Sequence, residues 1–323
     1  MDKKDYSISD VYKIINSELT QLEEELKKVT QSPIDIVSKI GNYIFKGKGK
    51  RIRPALLILC SKLLGYHEKE IIRYASVIEF IHTASLIHDD IVDNSNIRRG
   101  RKTIHYKWGS NISVLLGDYL YILSIKLSLN DNSKIIQSLS DVTCQMIEGE
   151  LLELNESWNF DIEEEKYLEI IKKKTASLFA GSCKIGALLA NATEEEENSL
   201  TDFGLNTGIA FQIIDDMLDF TSTEKALGKP VLSDLKEGKI TLPLIYTLRN
   251  RKEEILKLIC GKRKIFNTEE ILNIINEAGG IDYTYKKAES YINKAKKNLK
   301  IFSDSVYKDS LIILSDYVLT REK

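Results

Sequence analysis

The chain holds only 4 prolines in 323 residues, and apolar side chains recur every third or fourth position almost throughout. A backbone so free of proline, with an apolar period near 3.6, buries one face of successive α-helices; strands need strict alternation instead. Three prolines stand where helices begin: Pro33 between Ser32 and Ile34-Asp35, Pro54 ahead of Ala55-Leu56-Leu57-Ile58-Leu59, and Pro243 shortly after Thr241. The pattern predicts helices near 8–30, 33–46, 54–65, 68–93, 111–129, 132–157, 161–191, 194–220, 239–249, 251–261, 268–277, 280–299 and 303–320. No alternating strand stands out. The stretch 221–238, rich in Gly, Lys and Asp, reads as a long polar loop and a candidate lid. No linker or repeat divides the chain, so a single all-α domain over 1–323 is expected.

Charge excludes several classes of function. Lys and Arg number 46 against 48 Asp and Glu, a net charge of −2, which leaves no general field for nucleic acid. No run of apolar residues reaches membrane-spanning length, and no apolar run follows Met1-Asp2-Lys3-Lys4-Asp5, so neither an anchor nor a secretory signal is expected. Cys60, Cys144, Cys183 and Cys260 form no CxxC pair and sit in apolar surroundings; they read as buried thiols in a reducing, cytoplasmic setting. The 4 histidines lack zinc-site spacing.

The sharpest feature occurs twice. Asp89-Asp90-Ile91-Val92-Asp93 and Asp215-Asp216-Met217-Leu218-Asp219 are both DDxxD, each ending an apolar helical segment. Residues four apart share a helix face, so Asp89 with Asp93, and Asp215 with Asp219, repel one another and oppose the helix dipole unless a cation lies between them. A solvated acidic helix end is the plain alternative. Against it, the preceding segments 78–87 and 208–214 are interior-type sequence, which points the carboxylates into a cavity. Oxygen-only ligands select Mg²⁺ or Mn²⁺, and magnesium draws its remaining ligands from water and phosphates. Two such clusters imply a metal-bridged diphosphate.

Basic residues accompany them. Gly49-Lys50-Arg51-Ile52-Arg53 opens a helix, where Lys50 and Arg53 could grip one phosphate group; a surface basic turn is the alternative. Arg98 and Arg99 follow the first acidic cluster as either an ion-pair patch or a second clamp. Lys174, Lys229 and Lys239 add cations near the second cluster. His82 lies two helical turns before Asp89 on the same face, as a ligand-binding group or a satisfied core histidine.

In this order the residues resemble the trans-isoprenyl diphosphate synthase family, over about residues 35–320. The matches are GKRIRP at 49–54, IEFIHTASLIHDDIVDNSNIRRG at 78–100, GDYL at 117–120, EGELLEL at 148–154, KTASLF at 174–179, GIAFQIIDDMLDF at 208–220, and the spaced Gly, Lys, Asp, Leu, Thr and Pro of 228–243. The long-chain octaprenyl and heptaprenyl type looks most similar. The resemblance implies the isoprenoid synthase fold, a helical bundle around a central cavity. It implies Mg²⁺, two to three ions with Mn²⁺ as substitute, on Asp89, Asp93 and Asp215, with Asp90, Asp216 and Asp219 completing the two motifs. It places Lys50, Arg53, His82 and Arg99 on isopentenyl diphosphate, and Arg98, Lys174, Lys229 and Lys239 on the allylic diphosphate. Thr175, Gln212 and Phe211 fall near the developing carbocation. Lys48 and Leu232 stand where the family often has glycine.

Ala84 and Ser85, with Ile81 beyond them, occupy the helix wall upstream of Asp89. In the resemblance an aromatic there stops the product early; small residues imply a product longer than C20. A medium-chain (farnesyl or geranylgeranyl) synthase, a terpene cyclase and a subunit of a heteromeric synthase are the competing readings. The two intact DDxxD motifs and the basic residues disfavour the last two. A homodimer and transient membrane contact during release of a long lipid are further expectations.

Overall fold

The computed structural model describes residues 7–29, 31–46, 49–98, 100–129, 132–221, 231–260 and 265–321. Among these, regular structure is almost entirely helical: α1 Ile8–Ile14, α2 Asn16–Val29, α3 Asp35–Phe45, α4 Ile52–Leu63, α5 Glu70–Val92, α6 Ile104–Trp108, α7 Ser110–Ser128, α8 Ser133–Asn155, α9 Glu164–Ile171, α10 Ser177–Leu189, α11 Glu194–Thr221, α12 Ser233–Glu237, α13 Leu242–Leu258, α14 Thr268–Glu277, α15 Gly280–Asn298 and α16 Val306–Thr320. The all-α expectation holds. Two short antiparallel hairpins, Ile97–Arg98 (β1) with Arg101–Lys102 (β2) and Ile259–Cys260 (β3) with Ile265–Phe266 (β4), are the exceptions. At two residues per strand they are too short to show alternation.

Several boundaries differ for local reasons. The helix expected over 8–30 breaks at Ile15, and α3 starts at Asp35 rather than at Pro33, which lies ahead of its Ile34 cap. The helix expected over 161–191 is interrupted by one π-helical turn at Lys172–Ala176. The two helices expected over 239–261 are joined as α13, which bends at Arg251 where the backbone leaves helical angles (φ −129°, ψ 25°). The 221–238 stretch is not all loop: it closes with α12, while 222–230 lies outside the described residues, and with it most of the lid expectation. Cys60 and Cys183 are buried as expected, but Cys144 is exposed, because it falls on the outer face of α8.

The chain divides into two compact units, 1–143 with 178–204 and 298–314, and 144–177 with 205–297 and 315–323. In the first unit α5 is the central element, packed against α2, α4 and α7. Tyr74, Phe80 and the run Leu56–Leu59 are fully buried there. The low-polarity α5 is therefore enclosed almost all round, which explains its lack of an amphipathic stripe.

The second unit is built on Ile213, Ile214, Leu242, Leu244, Ile271 and Ile292. A buried ionic cluster in this unit centres on Glu164, 5% exposed. Glu164 accepts from Arg249 at 2.6 Å and from the Tyr283 hydroxyl at 2.7 Å, and pairs with Lys287 at 2.7 Å. Burial pushes its carboxyl up, but bonds from Lys287, Tyr283 and Arg249 outweigh it and hold the pKa below the usual value. A depressed carboxylate stabilises the fold above its unfolded pKa and loses that contribution as pH falls through the folded one. Glu164→Gln is therefore expected to destabilise the protein by about 3 kcal/mol at pH 7. The gap to the parent should shrink in acid, below the ordinary carboxylate range; chemical denaturation over that pH series measures it, and a pH-independent gap would contradict it.

Candidate active site

Each unit carries its own set of charged residues. In the first, α5 delivers its aspartates at its last turn, where Asp93 caps the helix and its N–H donates to the Asp89 carbonyl at 2.8 Å. The three carboxylates do not share one environment. Asp90 is 5% exposed and accepts from Arg98 Nε at 2.6 Å. Burial raises its pKa and the facing guanidinium offsets only part of that. Asp89 and Asp93 are half-buried and reach solvent. The ion-pair alternative for Arg98 is thus realised, with β1 supplying the arginine; Arg99 lies outside the described residues.

Tyr121 on α7 joins this end of α5, its ring 5.9 Å from that of His88. Burial, then the charges of Asp89 and Asp118, push its phenol well up, so it stays a neutral hydroxyl. Nothing in the local pattern of α7 distinguishes this tyrosine from Tyr119.

The basic loop comes against the same helix. Arg53 Nη1 lies 3.1 Å from His82 Nε2, and its guanidinium stacks over Phe179 at 4.6 Å. A guanidinium only donates, so Nε2 of His82 is the acceptor in this contact. Lys50 is exposed beside them. The contact joins Arg53, at the start of α4, to His82 on α5. Upstream, Ala84 and Ile81 are buried, while Ser85 is half-buried and donates to the His82 carbonyl at 2.9 Å.

In the second unit, Lys174 and Thr175 ride on the π turn, a geometry frequent at functional positions. α8 comes so close there that a Cβ on Gly149 would lie 2.3 Å from the Lys174 backbone nitrogen, so only glycine fits. Lys174 Nζ pairs with Glu150 at 2.6 Å and Glu153 at 2.5 Å, and Lys239 pairs with Glu237 at 2.8 Å. Lys229 lies outside the described residues.

The second acidic motif again separates into distinct roles. Thr175 donates to Gln212 Oε1 at 2.8 Å, Gln212 Nε2 donates to Asp216 Oδ1 at 2.7 Å, and the Tyr167 hydroxyl donates to Asp216 Oδ2 at 2.6 Å. This chain fixes the amide orientation of Gln212. Burial, then the nearby Asp234 charge, raise the Asp216 pKa well above the usual carboxylate value, despite the two donors. Asp219 is fully buried and accepts from the Ser233 hydroxyl at 2.7 Å and the Asp234 N–H at 3.1 Å, binding it to the start of α12. That start carries the departure from glycine: Leu232 keeps a left-handed backbone (φ 56°, ψ 34°) with its side chain fully buried. Asp215 is the most open of the three, its side chain 31% exposed. Lys174, Thr175, Gln212, Asp216, Lys239 and Tyr167 line a cavity of about 110 Å³ within this unit.

One further cation carries no mark in the sequence. Arg321, 7% exposed, places Nη2 2.6 Å from Asp215 Oδ1 and donates to the Phe211 carbonyl at 2.8 Å. Its guanidinium lies 3.6 Å over the Phe211 ring. No spacing rule links it to a motif more than a hundred residues upstream.

Among the described residues, no three His, Cys, Asp or Glu side chains form a ready-made metal cage. Asp89 and Asp93 in the first unit, and Asp215 in the second, supply hard carboxylate oxygens, the donor type that suits an ion bringing most of its own ligands. Among the described residues no helix is long and apolar enough to cross a membrane.

The polyprenyl synthetase family model matches residues 34–278. The chain belongs to that family. It is 36% identical over 323 residues to octaprenyl diphosphate synthase of Haemophilus influenzae, covering 98% of each chain. It is 37% identical over 308 residues to geranylgeranyl diphosphate synthase of Methanosarcina mazei, covering 93% of each. A polyprenyl synthase of Caulobacter crescentus, solved with calcium and isoprenyl diphosphate, superposes with a TM-score of 0.93 at 32% identity, covering 99% of this chain and 100% of its own. This polyprenyl synthetase family member is a prenyltransferase with the all-helical fold of those relatives.

Removing Arg321 exposes the repulsion that it offsets. Arg321→Gln is expected to lose about 2 kcal/mol without divalent ions, and to regain more than the parent does when millimolar MgCl₂ is added. Thermal melts with and without the salt measure this; equal melting and equal response would refute it.

Proposed function

We propose that this prenyltransferase condenses isopentenyl diphosphate head to tail with an allylic diphosphate, giving an all-trans product longer than C20 and releasing diphosphate. The observation that carries the reading is the contact of Arg53 with His82, which joins the basic loop to the helix that bears Asp89 and Asp93. A metal-held diphosphate alone would serve a cyclase as well; a second diphosphate gripped directly by Lys50, Arg53 and His82 is what a condensation needs. Lys174, Lys239 and Arg98 serve the allylic diphosphate, together with Arg99 and Lys229 in their expected roles on the two substrates.

Asp89, Asp93 and Asp215 would hold Mg²⁺, two to three ions, with Mn²⁺ able to substitute; when bound, the ions neutralise the diphosphate leaving group. The relative solved with calcium and isoprenyl diphosphate supports a divalent requirement. Thr175 and Gln212, held in one hydrogen-bond chain, present fixed dipoles to the allylic cation, and Phe211 its ring face. No side-chain base is needed, since the released diphosphate takes the proton. The carboxylates of both DDxxD motifs serve this one reaction, and the chain acts as one domain.

Product length follows the α5 wall. Ala84 is buried and small, and one helical turn, about 5.4 Å, admits roughly one more isoprene unit. Incubating the purified chain with Mg²⁺ and both substrates is expected to give products beyond C20 by mass spectrometry, and Ala84→Phe to shorten them. Asp89→Asn should lower kcat by about 10²-fold or more. A parent product of C20 or shorter would overturn the length and favour a medium-chain synthase, consistent with the Methanosarcina relative. Complete inactivity of the chain alone would favour a heteromeric subunit.

The wet apolar stripe on α7 supports a homodimer. Leu115, Ile122 and Ile125 are 69%, 62% and 54% exposed, far more than isolated surface residues require. In the second unit's part of α8, Ile147 and Leu151 are exposed likewise. Leu115→Glu is expected to convert a dimer to a monomer in light scattering; an unchanged mass would place the interface elsewhere. Buried Cys60 and Cys183 suit a cytoplasmic location, with membrane contact only during product release.

A further inference from the structure

Arg51 stands between the two basic residues of the isopentenyl diphosphate loop, yet its own side chain is taken up by two carboxylates of neighbouring helices. Its backbone is left-handed (φ 48°, ψ 35°), a conformation that a residue with a Cβ rarely adopts. It sits at the N-cap of α4, where its carbonyl accepts the first helical bond, from Ala55 N–H at 2.9 Å. The side chain is 9% exposed. Nε donates to Glu23 Oε1 at 2.7 Å and Nη2 to Glu23 Oε2 at 3.2 Å, a two-point grip on α2. Nη1 donates to Glu79 of α5. Burial works against its charge, but Glu79 and Glu23 more than restore it.

Glu79 lies one helical turn before His82, which touches Arg53. Tyr12 of α1 donates to the Lys50 carbonyl, fixing the residue on the other side. The guanidinium thus ties the loop to α2 and α5 at once, and the left-handed turn sends it inward while Lys50 stays exposed. Lysine cannot replace it, because a point charge cannot present three N–H groups in a fixed fork.

We infer that Arg51 is the positioning residue of the isopentenyl diphosphate site: it holds residues 49–53 so that Lys50 and Arg53 meet the diphosphate together. The inference rests on the reading that Lys50, Arg53 and His82 bind that substrate. Its test uses the full chain with both substrates under steady state. Arg51→Lys keeps the charge and removes the fork; it should raise KM for isopentenyl diphosphate about tenfold, with KM for the allylic diphosphate within about twofold and kcat falling far less. Glu23→Gln removes one anchor and leaves no buried charge alone; it should raise the same KM about threefold. Circular dichroism and thermal melting establish that each variant is folded, and if Arg51→Lys does not fold, Glu23→Gln decides. A folded variant with unchanged KM for isopentenyl diphosphate, or with both KM values rising alike, overturns the role. If Lys50→Ala and Arg53→Ala in the parent leave that KM unchanged, the site reading fails instead.

Discussion

Like charges placed at the ends of apolar helices govern this molecule. Each DDxxD motif puts carboxylates four residues apart where the helix dipole already carries negative charge. The fold answers by giving every aspartate a different environment. Arg98 takes Asp90, Arg321 takes Asp215, Tyr167 and Gln212 take Asp216, and the start of α12 takes Asp219. Asp89 and Asp93 stay the more accessible pair on α5. A motif that looks symmetric in one dimension becomes a set of unequal groups, some buried against the scaffold and some closer to solvent.

The same logic governs the lysines and arginines. Lys174 does not wait as a free charge; Glu150 and Glu153 on α8 hold it. Arg51 is held by Glu23 and Glu79, and Arg53 rests between His82 and Phe179. Pre-ordered cations lose less side-chain entropy when an anion arrives, and they keep the acidic residues from repelling in its absence. Carboxylates outside the DDxxD motifs thus hold these cations in place within each unit.

Much of this was legible in the chain. The helical class followed from proline scarcity and the 3.6-residue period, and the helix ends at Asp93 and near Asp219 fell where the aspartates stood. Even the break between 249 and 251 survives as the bend at Arg251. Less visible were features without a period: two-residue strands, the π turn at Lys172–Ala176, and the left-handed Leu232 at a position where glycine was the natural expectation. Leu232 shows why. Its backbone strain is offset by full burial of its side chain, which is a property of the surrounding core and not of the local sequence.

Periodicity and spacing determined the helical class, the two acidic ends and the basic residues that accompany them, because helix geometry converts intervals of three, four and seven directly into shared faces. Tertiary structure alone decided which carboxylate is engaged and by what. Arg321 reaches Asp215, and Glu79 reaches Arg51, across long intervals of chain that no interval rule relates. Ion pairing depends on distance and burial in space, and those are set only when separate helices pack.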